Sequence, residues 1–312
     1  MKIGVIPAIA AFAIALAALP FVAGSDYYVN LASQVLIAAI FAMSLNLLVG
    51  YGGLVSLGHA AYLGLSAYAT AWTMLHSGLG PLASGALALV VTTVAAGFFG
   101  MLALRASGLS FLMITLALGQ ILWGVAYRWV GLTGGDNGLT GLTRPRPLGI
   151  DITSPVAFYF FTVIVFAIAF ALIAMVVRSP FGASLQGTRD HPRRMAALGH
   201  NVWLVRWVAF VLAGFWGAVA GVLYVYYNTY ISPHALSLQN SAEALLMVLA
   251  GGPATIAGPV VGAALVVLVK NVASAYIERW TFLLGAIFVL IVLFLPDGIV
   301  PGLKRLLAKR QA

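Results

Sequence analysis

The sequence is poor in two kinds of residue, cysteine and charged side chains. It contains no cysteine among its 312 residues, which excludes a disulfide framework, a thiolate metal site and a cysteine nucleophile. Charged residues account for only 7% of the chain, whereas a soluble domain carries roughly 25%. The composition therefore excludes a soluble enzyme.

Apolar residues dominate instead, and hydrophobic side chains make up 62% of the chain. A hydrocarbon core about 30 Å thick needs about 20 apolar residues per helical crossing, so this inventory is enough for roughly eight to ten crossings. We predict an all-α polytopic membrane protein with about ten hydrophobic helices, forming a single transmembrane domain over residues 1–312. The apolar runs lie near residues 5–23, 30–49, 54–75, 82–104, 108–130, 155–177, 203–227, 241–250, 255–273 and 280–295.

Two of these runs need separate interpretation. The run at 241–250 is shorter than the ~17 residues of a full crossing, so we predict a half-length helix or a re-entrant piece there. The run at 5–23 follows Lys2 and ends near the small residues Ala23 and Gly24, a pattern that also suits a cleaved signal peptide. We predict an uncleaved span, because the rest of the chain is itself membranous.

Basic residues predict the orientation of the chain. There are 16 Lys and Arg residues against 7 Asp and Glu residues, a balance that we interpret as topology signal and contact with anionic lipid rather than with nucleic acid. If all ten runs cross, eleven basic residues fall on one side and five on the other. We therefore predict that both termini and the segment 178–202 are cytoplasmic and that 131–154 is external.

Acidic residues are few, and we predict that none couples transport to protons. Six of the seven fall in predicted connections, and Glu243 follows Asn240 at the spacing of a capping box at the start of the short helix. Proton-coupled carriers usually need an ionisable carboxylate inside the membrane. Walker A, HExxH and GxSxG patterns are also missing. We predict a transport subunit that is not an enzyme, with no catalytic residue, metal or cofactor.

Glycine is abundant, with 34 residues, and two pairs have the spacing of close helix contacts. Gly217 and Gly221 form one pair, and Gly258 and Gly262 form the other. Small residues four apart let helix backbones approach each other in a membrane. We interpret both pairs as packing features.

The stretch from Gly50 to Tyr62 is the most informative part of any predicted span. It has four glycines in nine residues, which loosen a helix, and it places Ser56, His59 and Tyr62 at positions i, i+3 and i+6 of one helix face. Such a polar stripe could line the path of a polar solute. The alternative is that His59 and Ser56, and Asn46 before them, only hydrogen-bond a neighbouring helix.

The predicted external connection contains a segment, 133–141, that is rich in glycine and short polar residues. Glycine permits tight turns, and Asp and Asn can bond backbone donors locally. The segment is either an ordinary surface loop or a docking and gating loop that meets whatever delivers the solute. The docking interpretation assigns Gly134, Gly135, Asp136 and Asn137.

The predicted cytoplasmic segment carries the signals of a short amphipathic helix. Asp190 can cap its start, Pro192 fits its first turn and Gly199 ends it. A capped helix between two spans is suited to be moved by a cytoplasmic partner. The alternative is a basic loop that only fixes topology.

Five motifs, taken in order, resemble the LivM-type permeases of branched-chain amino acid ABC importers. The resemblance runs from about residue 30 to 302, and the Thr-Gly-Gly segment favours the LivM type over the related LivH type. The motifs are Gly-Gly-Leu-Val-Ser-Leu-Gly-His at 52–59, Thr-Gly-Gly-x-Asn-Gly-Leu-Thr-Gly at 133–141, Arg-Ser-Pro-Phe-Gly at 178–182, Arg-Asp-x-Pro-x-Arg-x-Ala-Ala-Leu-Gly at 189–199 and Gly-Gly-Pro-Ala-Thr-Ile-Ala-Gly-Pro at 251–259.

The resemblance implies a ten-helix permease in the bacterial inner membrane that imports leucine, isoleucine and valine. Its implied partners are a second, LivH-like permease, two cytoplasmic ABC ATPase subunits and a periplasmic amino-acid-binding protein. The segment 52–59 would lie at the translocation path. The implied ATPase-coupling residues are Arg189, Asp190, Pro192, Arg193, Arg194, Ala196, Ala197 and Gly199. A permease for urea or short amides and a passive solute channel are the alternatives.

Overall fold

The fold is that of a computed structural model, which describes residues 24–142, 152–276, 280–294 and 297–309, together with Pro20 and Arg144. Within these residues all regular structure is helical. The helices are α1 (Asp26–Asn46), α2 (Ala60–His76), α3 (Pro81–Ala103), α4 (Leu109–Arg128), α5 (Val130–Thr133), α6 (Pro155–Arg178), α7 (Pro180–Asp190), α8 (Pro192–Ala197), α9 (Val202–Asn228), α10 (Leu238–Gly251), α11 (Gly258–Tyr276), α12 (Trp280–Phe294) and α13 (Ile299–Lys309).

The prediction of an all-α polytopic membrane protein is confirmed. Nine of the ten predicted runs correspond to α1, α2, α3, α4, α6, α9, α10, α11 and α12, and the run at 5–23 lies outside the described residues apart from Pro20. Of the described helices, five are long and apolar enough to cross a membrane, namely α1 with its extension to Tyr51, α3, α4, α6 and α9.

Three of the helices that match predicted runs are shorter than a full crossing in the described part of the chain, and α12, with 15 residues, is one of them. α2 has 17 residues and α10 has 14, which correspond to about 26 Å and 21 Å against a hydrocarbon core of about 30 Å. The prediction of a half-length helix at 241–250 is therefore confirmed. For the run at 54–75, in contrast, the helix begins six residues later than predicted, at Ala60.

Helix α1 forms the centre of the bundle. Helices α6, α9, α10 and α11 pack around it, and nearly every side chain from Leu36 to Leu48 is buried. The helix is apolar on all sides, which is typical of a helix surrounded by protein or lipid. Its small Ala and Ser residues let the neighbouring helices approach closely.

The helix ends define two faces of the bundle. One face, called the α7 face below, carries α7, α8 and the end of α1, because Arg189 of α7 donates a hydrogen bond to the Gly50 carbonyl at 2.6 Å. The opposite face carries the loops that follow α4 and α9. These two loops are joined by an isolated antiparallel bridge between Leu139 and Ile231.

Close backbone contacts occur at glycines that the sequence marked as packing features. A methyl group on Gly221 of α9 would overlap the Leu63 carbonyl oxygen of α2, and one on Gly262 of α11 would overlap the Met247 carbonyl oxygen of α10. The backbones of these helix pairs are therefore in direct contact, as small residues allow in membranes.

The outer helices expose large apolar side chains. Val94 and Phe98 of α3, Ile121 of α4 and Ile164 of α6 are each more than half exposed. Soluble monomers rarely present apolar surfaces of this extent. These faces are therefore suited to hydrocarbon or to another apolar helix, not to water.

Replacing Gly221 with Ala tests the contact between α2 and α9. Alanine is favoured over glycine in a helix by up to ~1 kcal/mol, but overpacking costs ~1–3 kcal/mol. We expect Gly221→Ala to lower the midpoint of thermal unfolding in detergent. Gly124→Ala in α4 is the matched control, since its added methyl group has no atom within 4 Å. Equal midpoints for the two variants would contradict the contact.

Candidate functional site

The segment 52–59 interrupts the helices inside the bundle. Helix α1 ends in a π-helical turn at Leu47–Tyr51, and α2 begins only at Ala60. Gly53 has a left-handed φ of +67°, which glycine adopts readily and which ends a regular helix. The predicted polar stripe on a single helix face is therefore wrong, because residues 52–59 are not helical.

Side chains from other helices bond the backbone of this break. Ser241 Oγ of α10 accepts a hydrogen bond from the Ala60 N–H at 2.9 Å, and Thr115 Oγ1 of α4 accepts one from the Leu57 N–H at 3.4 Å. Gly58 lies so close to α4 that a side chain there would overlap the Thr115 carbonyl. Since unpaired backbone groups at membrane depth are costly, these contacts hold the break in one conformation.

His59 is fully buried where the break meets α2. Its Nε2 lies 2.7 Å from Ser44 Oγ, which itself donates to the Phe41 carbonyl. Because a hydroxyl has one proton, we infer that Nε2–H donates to Ser44. His59 Nδ1 then has no hydrogen-bond partner among the described residues. The ring stacks on Phe41 and meets the Tyr62 ring edge-on.

Asn46, the last residue of α1, joins α1 to the connection between α10 and α11. Its Nδ2 donates to the Thr255 carbonyl at 2.9 Å, and its Oδ1 accepts from the Ala254 N–H at 3.2 Å. Ala254 has a φ of +58°, a conformation that L-residues adopt rarely. Both bonds of the Asn46 amide therefore fix a strained turn against the end of α1.

The four residues predicted for the substrate pathway all lie around this break. Asn46, Ser56, His59 and Tyr62 are buried, with at most 3% of each residue exposed. His59 and Asn46 make the interhelical hydrogen bonds that the alternative interpretation described. Burial in this conformation does not show a path past these side chains, so a pathway role stays a prediction.

The segment 178–202 contains two helices, α7 and α8, where one short helix was predicted. The prediction that Asp190 caps the short helix is wrong, because Asp190 is the last residue of α7 and α8 begins after His191 without a side-chain cap. Pro192 does occupy the first turn of α8, and Gly199 follows the helix with a φ of +86°. The pair Ser179 and Pro180, a typical helix start, was the sequence signal for α7.

Arg189 connects α7 to the break. Its Nη1 donates to the Gly50 carbonyl at 2.6 Å, and its Nε donates to Asp190 Oδ1 at 2.8 Å. The hydrogen bond from Arg189 lowers the pKa of the Asp190 carboxyl. Gly53 lies against the Arg189 side chain, where a methyl group would approach Cγ to 2.5 Å. The Arg189 side chain therefore contacts both ends of the turn that leads into the break, with its guanidinium at Gly50 and its aliphatic stem at Gly53.

Helix α8 projects from the bundle. Every residue from Pro192 to Ala197 is exposed except Met195, which is half-buried against Gly187 of α7. Arg193 and Arg194 present two positive charges on this exposed surface. The arrangement is a basic helix attached firmly to α7 and free on its outer side.

The loop that was predicted to dock an external partner lies on the opposite face. Gly134 and Gly135 have φ values of +75° and +61°, and Asp136 and Asn137 lie in a 3₁₀ turn with their side chains exposed. The bridge to Ile231 fixes the loop beside the start of α10. Its docking role stays a prediction.

A cavity that the sequence did not reveal, lined by both apolar and polar side chains, lies between α1, α9, α10 and α11. Its volume is about 380 Å³, and Glu243 of α10 and Lys270 of α11 line it. Glu243 Oε2 and Lys270 Nζ are 3.1 Å apart. The predicted capping box is wrong, because Ser237 caps α10 by accepting from the Asn240 N–H, and Glu243 lies further along the helix.

Glu243 is an ionisable carboxylate inside the bundle, and the expectation that every acidic residue is peripheral is therefore wrong. Glu243 and Lys270 fall inside the predicted apolar runs 241–250 and 255–273. A charged residue inside an apolar run was therefore the sequence signal that could have indicated this site. Their pairing could not be inferred, because they are 27 residues apart on different helices. Among the described residues, no group of His, Asp and Glu has the arrangement of a metal site.

Comparison with known proteins gives consistent matches. The sequence model of a family described as "Branched-chain amino acid transport system / permease component" matches residues 27–292. The "High-affinity branched-chain amino acid transport system permease protein LivM" of Salmonella typhimurium is 23% identical, over 88% of this chain and 70% of the relative, and its namesake from Escherichia coli gives the same values. The resemblance to LivM-type permeases is thereby confirmed.

A second kind of relative has a different name. The "Autoinducer 2 import system permease protein LsrC" of Salmonella paratyphi B is 26% identical, over 68% of this chain and 62% of the relative. No solved structure matches the chain.

Replacing Asn46 with Leu tests its role at the end of α1. The change leaves the Ala254 N–H and the Thr255 carbonyl without their partner, and each unpaired buried group costs ~1–3 kcal/mol. We expect a lower midpoint of thermal unfolding in detergent. Asn30→Leu on the same helix is the control, because the buried Asn30 Oδ1 has no hydrogen-bond partner in the described part of the chain. If both variants melt alike, Asn46 does not hold the turn.

Proposed function

Because the chain belongs to the branched-chain amino acid transport permease family, we propose that it imports leucine, isoleucine and valine as a permease subunit of an ATP-driven, binding-protein-dependent transporter. The named LivM relatives support this substrate class. The structural observation that carries the proposal is the exposed basic helix α8, which α7 and Arg189 connect to a break inside the membrane domain. The chain itself is a transport subunit of the inner membrane, and ATP hydrolysis belongs to its partners.

The α7 face is cytoplasmic in this proposal. The described basic residues are concentrated there, as the positive-inside rule expects of a cytoplasmic face, and both termini then also face the cytoplasm. Arg128 and Arg144 lie toward the opposite, periplasmic face. The basic residues near the α7 face are Arg105, Arg178, Arg189, Arg193, Arg194, Arg206 and Arg305.

Each face has its own partners in the proposed assembly. Two ABC ATPase subunits bind the cytoplasmic side, where α8 of this chain is the contact and Ala196, Ala197 and Gly199 let the partner approach closely. A LivH-like permease completes the dimer. A periplasmic amino-acid-binding protein docks near the exposed residues Asp136 and Asn137.

Movement of α8 reaches the membrane interior through Arg189. Its guanidinium bonds the Gly50 carbonyl at the end of α1, and the chain continues from there through 52–59 to His59. A shift of α7 therefore changes the position of the break. Asn46, Ser56, His59 and Tyr62 would line the path only after such a shift, because all four are buried in the present conformation.

Other solutes are the principal alternative. Permeases for urea or short amides share the family resemblance, and the LsrC relatives are named for autoinducer 2 import. A passive channel is a further alternative, but it does not need a firmly attached basic helix on one face. These hypotheses differ in the solute that is transported and in whether transport requires ATP.

Co-purification followed by an ATPase assay tests the proposal. The chain is expressed with its genomic neighbours, purified from detergent, and tested for ATP hydrolysis stimulated by a binding protein loaded with leucine, urea or acetamide. We expect a second permease, two ATPases and stimulation by leucine alone. Conduction in liposomes by the chain on its own would overturn the proposal in favour of a channel, and stimulation by urea would overturn the substrate class.

Reversing the charge of α8 tests the contact with the ATPases. We expect the double variant Arg193→Glu and Arg194→Glu to co-purify with about one tenth or less of the ATPase that the native chain retains. The reason is that unfavourable charge contacts at an interface are costly. The matched control is Arg128→Glu with Arg144→Glu, which changes the net charge equally on the opposite face. Normal ATPase recovery with the α8 variant would refute the contact.

Removing the Arg189 guanidinium tests transmission to the break. We expect the Arg189→Gln variant to co-purify with the ATPases as the native chain does. Its leucine-stimulated rate of ATP hydrolysis should fall about tenfold, because the charged hydrogen bond to the Gly50 carbonyl is lost. Asp190→Asn is the control, because it removes the ion pair and leaves the Gly50 bond intact. Unchanged stimulation in Arg189→Gln would show that α7 communicates by another route.

A further inference from the structure

The cavity between α1, α9, α10 and α11 is polar at one end and apolar at the other. On α10, Glu243 lies nearer the opposite face and Met247 lies one turn deeper. On α11, Lys270 lies nearer that face and Val266 lies one turn deeper. Phe41 of α1 belongs to the deep end as well. The cavity is thus amphipathic along its depth.

The charges at the polar end balance each other. Glu243 is only 8% exposed, and its carboxylate lies 3.1 Å from Lys270 Nζ. Gln239 Nε2 also approaches Glu243 Oε1 at 3.4 Å. A charge inside a membrane protein is costly unless it is paired. Of the described residues that line the cavity, Glu243 and Lys270 thus supply one acidic and one basic group.

This balance determines which solute the cavity favours. A singly charged solute would add an uncompensated charge to a site of low dielectric, which is unfavourable. A zwitterion adds one charge of each sign, so its ammonium can approach Glu243 while its carboxylate approaches Lys270. An uncharged amide can hydrogen-bond both groups but brings no charge of its own, so each contact is weaker than that of the zwitterion.

We propose that this cavity is a binding site for an aliphatic amino acid within the permease chain itself, with Glu243 binding the ammonium group and Lys270 binding the carboxylate. The side chain of the amino acid packs against Phe41, Met247 and Val266. The volume of about 380 Å³ lies in the range of small-molecule pockets, about 300–1,000 Å³. The proposal rests on the proposed function, because it assigns residues to the substrate that the importer carries.

The position of the cavity suits a step before translocation. Phe41 at its deep end stacks on the His59 ring, with the ring centres 5.2 Å apart. His59 in turn lies at the end of the break, immediately before α2. A bound amino acid would therefore rest directly above the segment that Arg189 connects to the α7 face.

Equilibrium binding to the purified importer in nanodiscs, without binding protein or ATP, tests the assignment. Radiolabelled leucine is displaced with leucine, with leucinamide, which has only the ammonium, or with 4-methylpentanoate, which has only the carboxylate. We expect the two singly charged analogues to bind about 10- to 100-fold more weakly than leucine, the range for a hydrogen bond to a charged group.

Variants assign each charge to its group. We expect Glu243→Gln to weaken leucine binding about 10- to 100-fold, and to bring leucine and 4-methylpentanoate to similar affinities, because the ammonium has lost its partner. In the Lys270→Met variant, leucine and leucinamide should bind with similar affinities, because the carboxylate has lost its partner. Asp26→Asn, which neutralises an exposed carboxylate at the start of α1, is the control and should bind leucine as the native protein does.

A variant that lacks both charges is the control for loss of folding. The double variant Glu243→Gln and Lys270→Met leaves neither group unpaired, so it should fold and still fail to bind leucine. Native leucine affinity in that variant would overturn the site. If the native importer does not bind leucine while a leucine-loaded binding protein still stimulates its ATPases, the site is wrong and the proposed function stands. If leucine neither binds nor stimulates, the proposed function fails as well.

Discussion

The structure depends on one constraint: backbone N–H and C=O groups at membrane depth must be hydrogen-bonded within the protein. Between α1 and α2 the chain leaves the helix, and its backbone loses the partners that a helix provides. Ser241 of α10 and Thr115 of α4 supply acceptors for N–H groups there, and Arg189 of α7 supplies a donor for the Gly50 carbonyl. The break is thus stable only because three other helices contact it.

The same contacts give the break its mechanical connections. Because Arg189 belongs to the helix that carries α8, displacement at the α7 face acts on the end of α1. Asn46 extends the connection to the turn between α10 and α11, and α10 and α11 also carry Glu243 and Lys270. The cavity and the break are therefore parts of one packed unit around α1, and α7 attaches the exposed basic helix α8 to that unit. This arrangement suits a permease in which a partner outside the membrane drives the change of access.

Several elements were predictable from local sequence, and others were not. The apolar runs gave the helices, and the short run at 241–250 gave the half-length helix, because length and hydropathy are local properties. Asp190 and Glu243 were interpreted as caps, since Asp and Glu near a helix start commonly have that role. Both interpretations were wrong, because Asp190 ends the preceding helix and Ser237 caps α10, and the two carboxylates pair with Arg189 and Lys270 instead. Lys270 is distant in sequence from Glu243, so no spacing rule could have paired them.

The sequence by itself determined that this chain is a helical membrane protein, that it cannot hydrolyse ATP through a Walker A motif, and that it resembles LivM-type permeases. These conclusions follow from composition, run length and ordered motifs, which need no knowledge of neighbours in space. Only the tertiary structure decided that 52–59 is not helical, that Arg189 holds its start, and that Glu243 and Lys270 share a cavity. The physical reason is that hydrogen bonds and ion pairs inside the bundle join residues on different helices, and their geometry exists only after the helices pack.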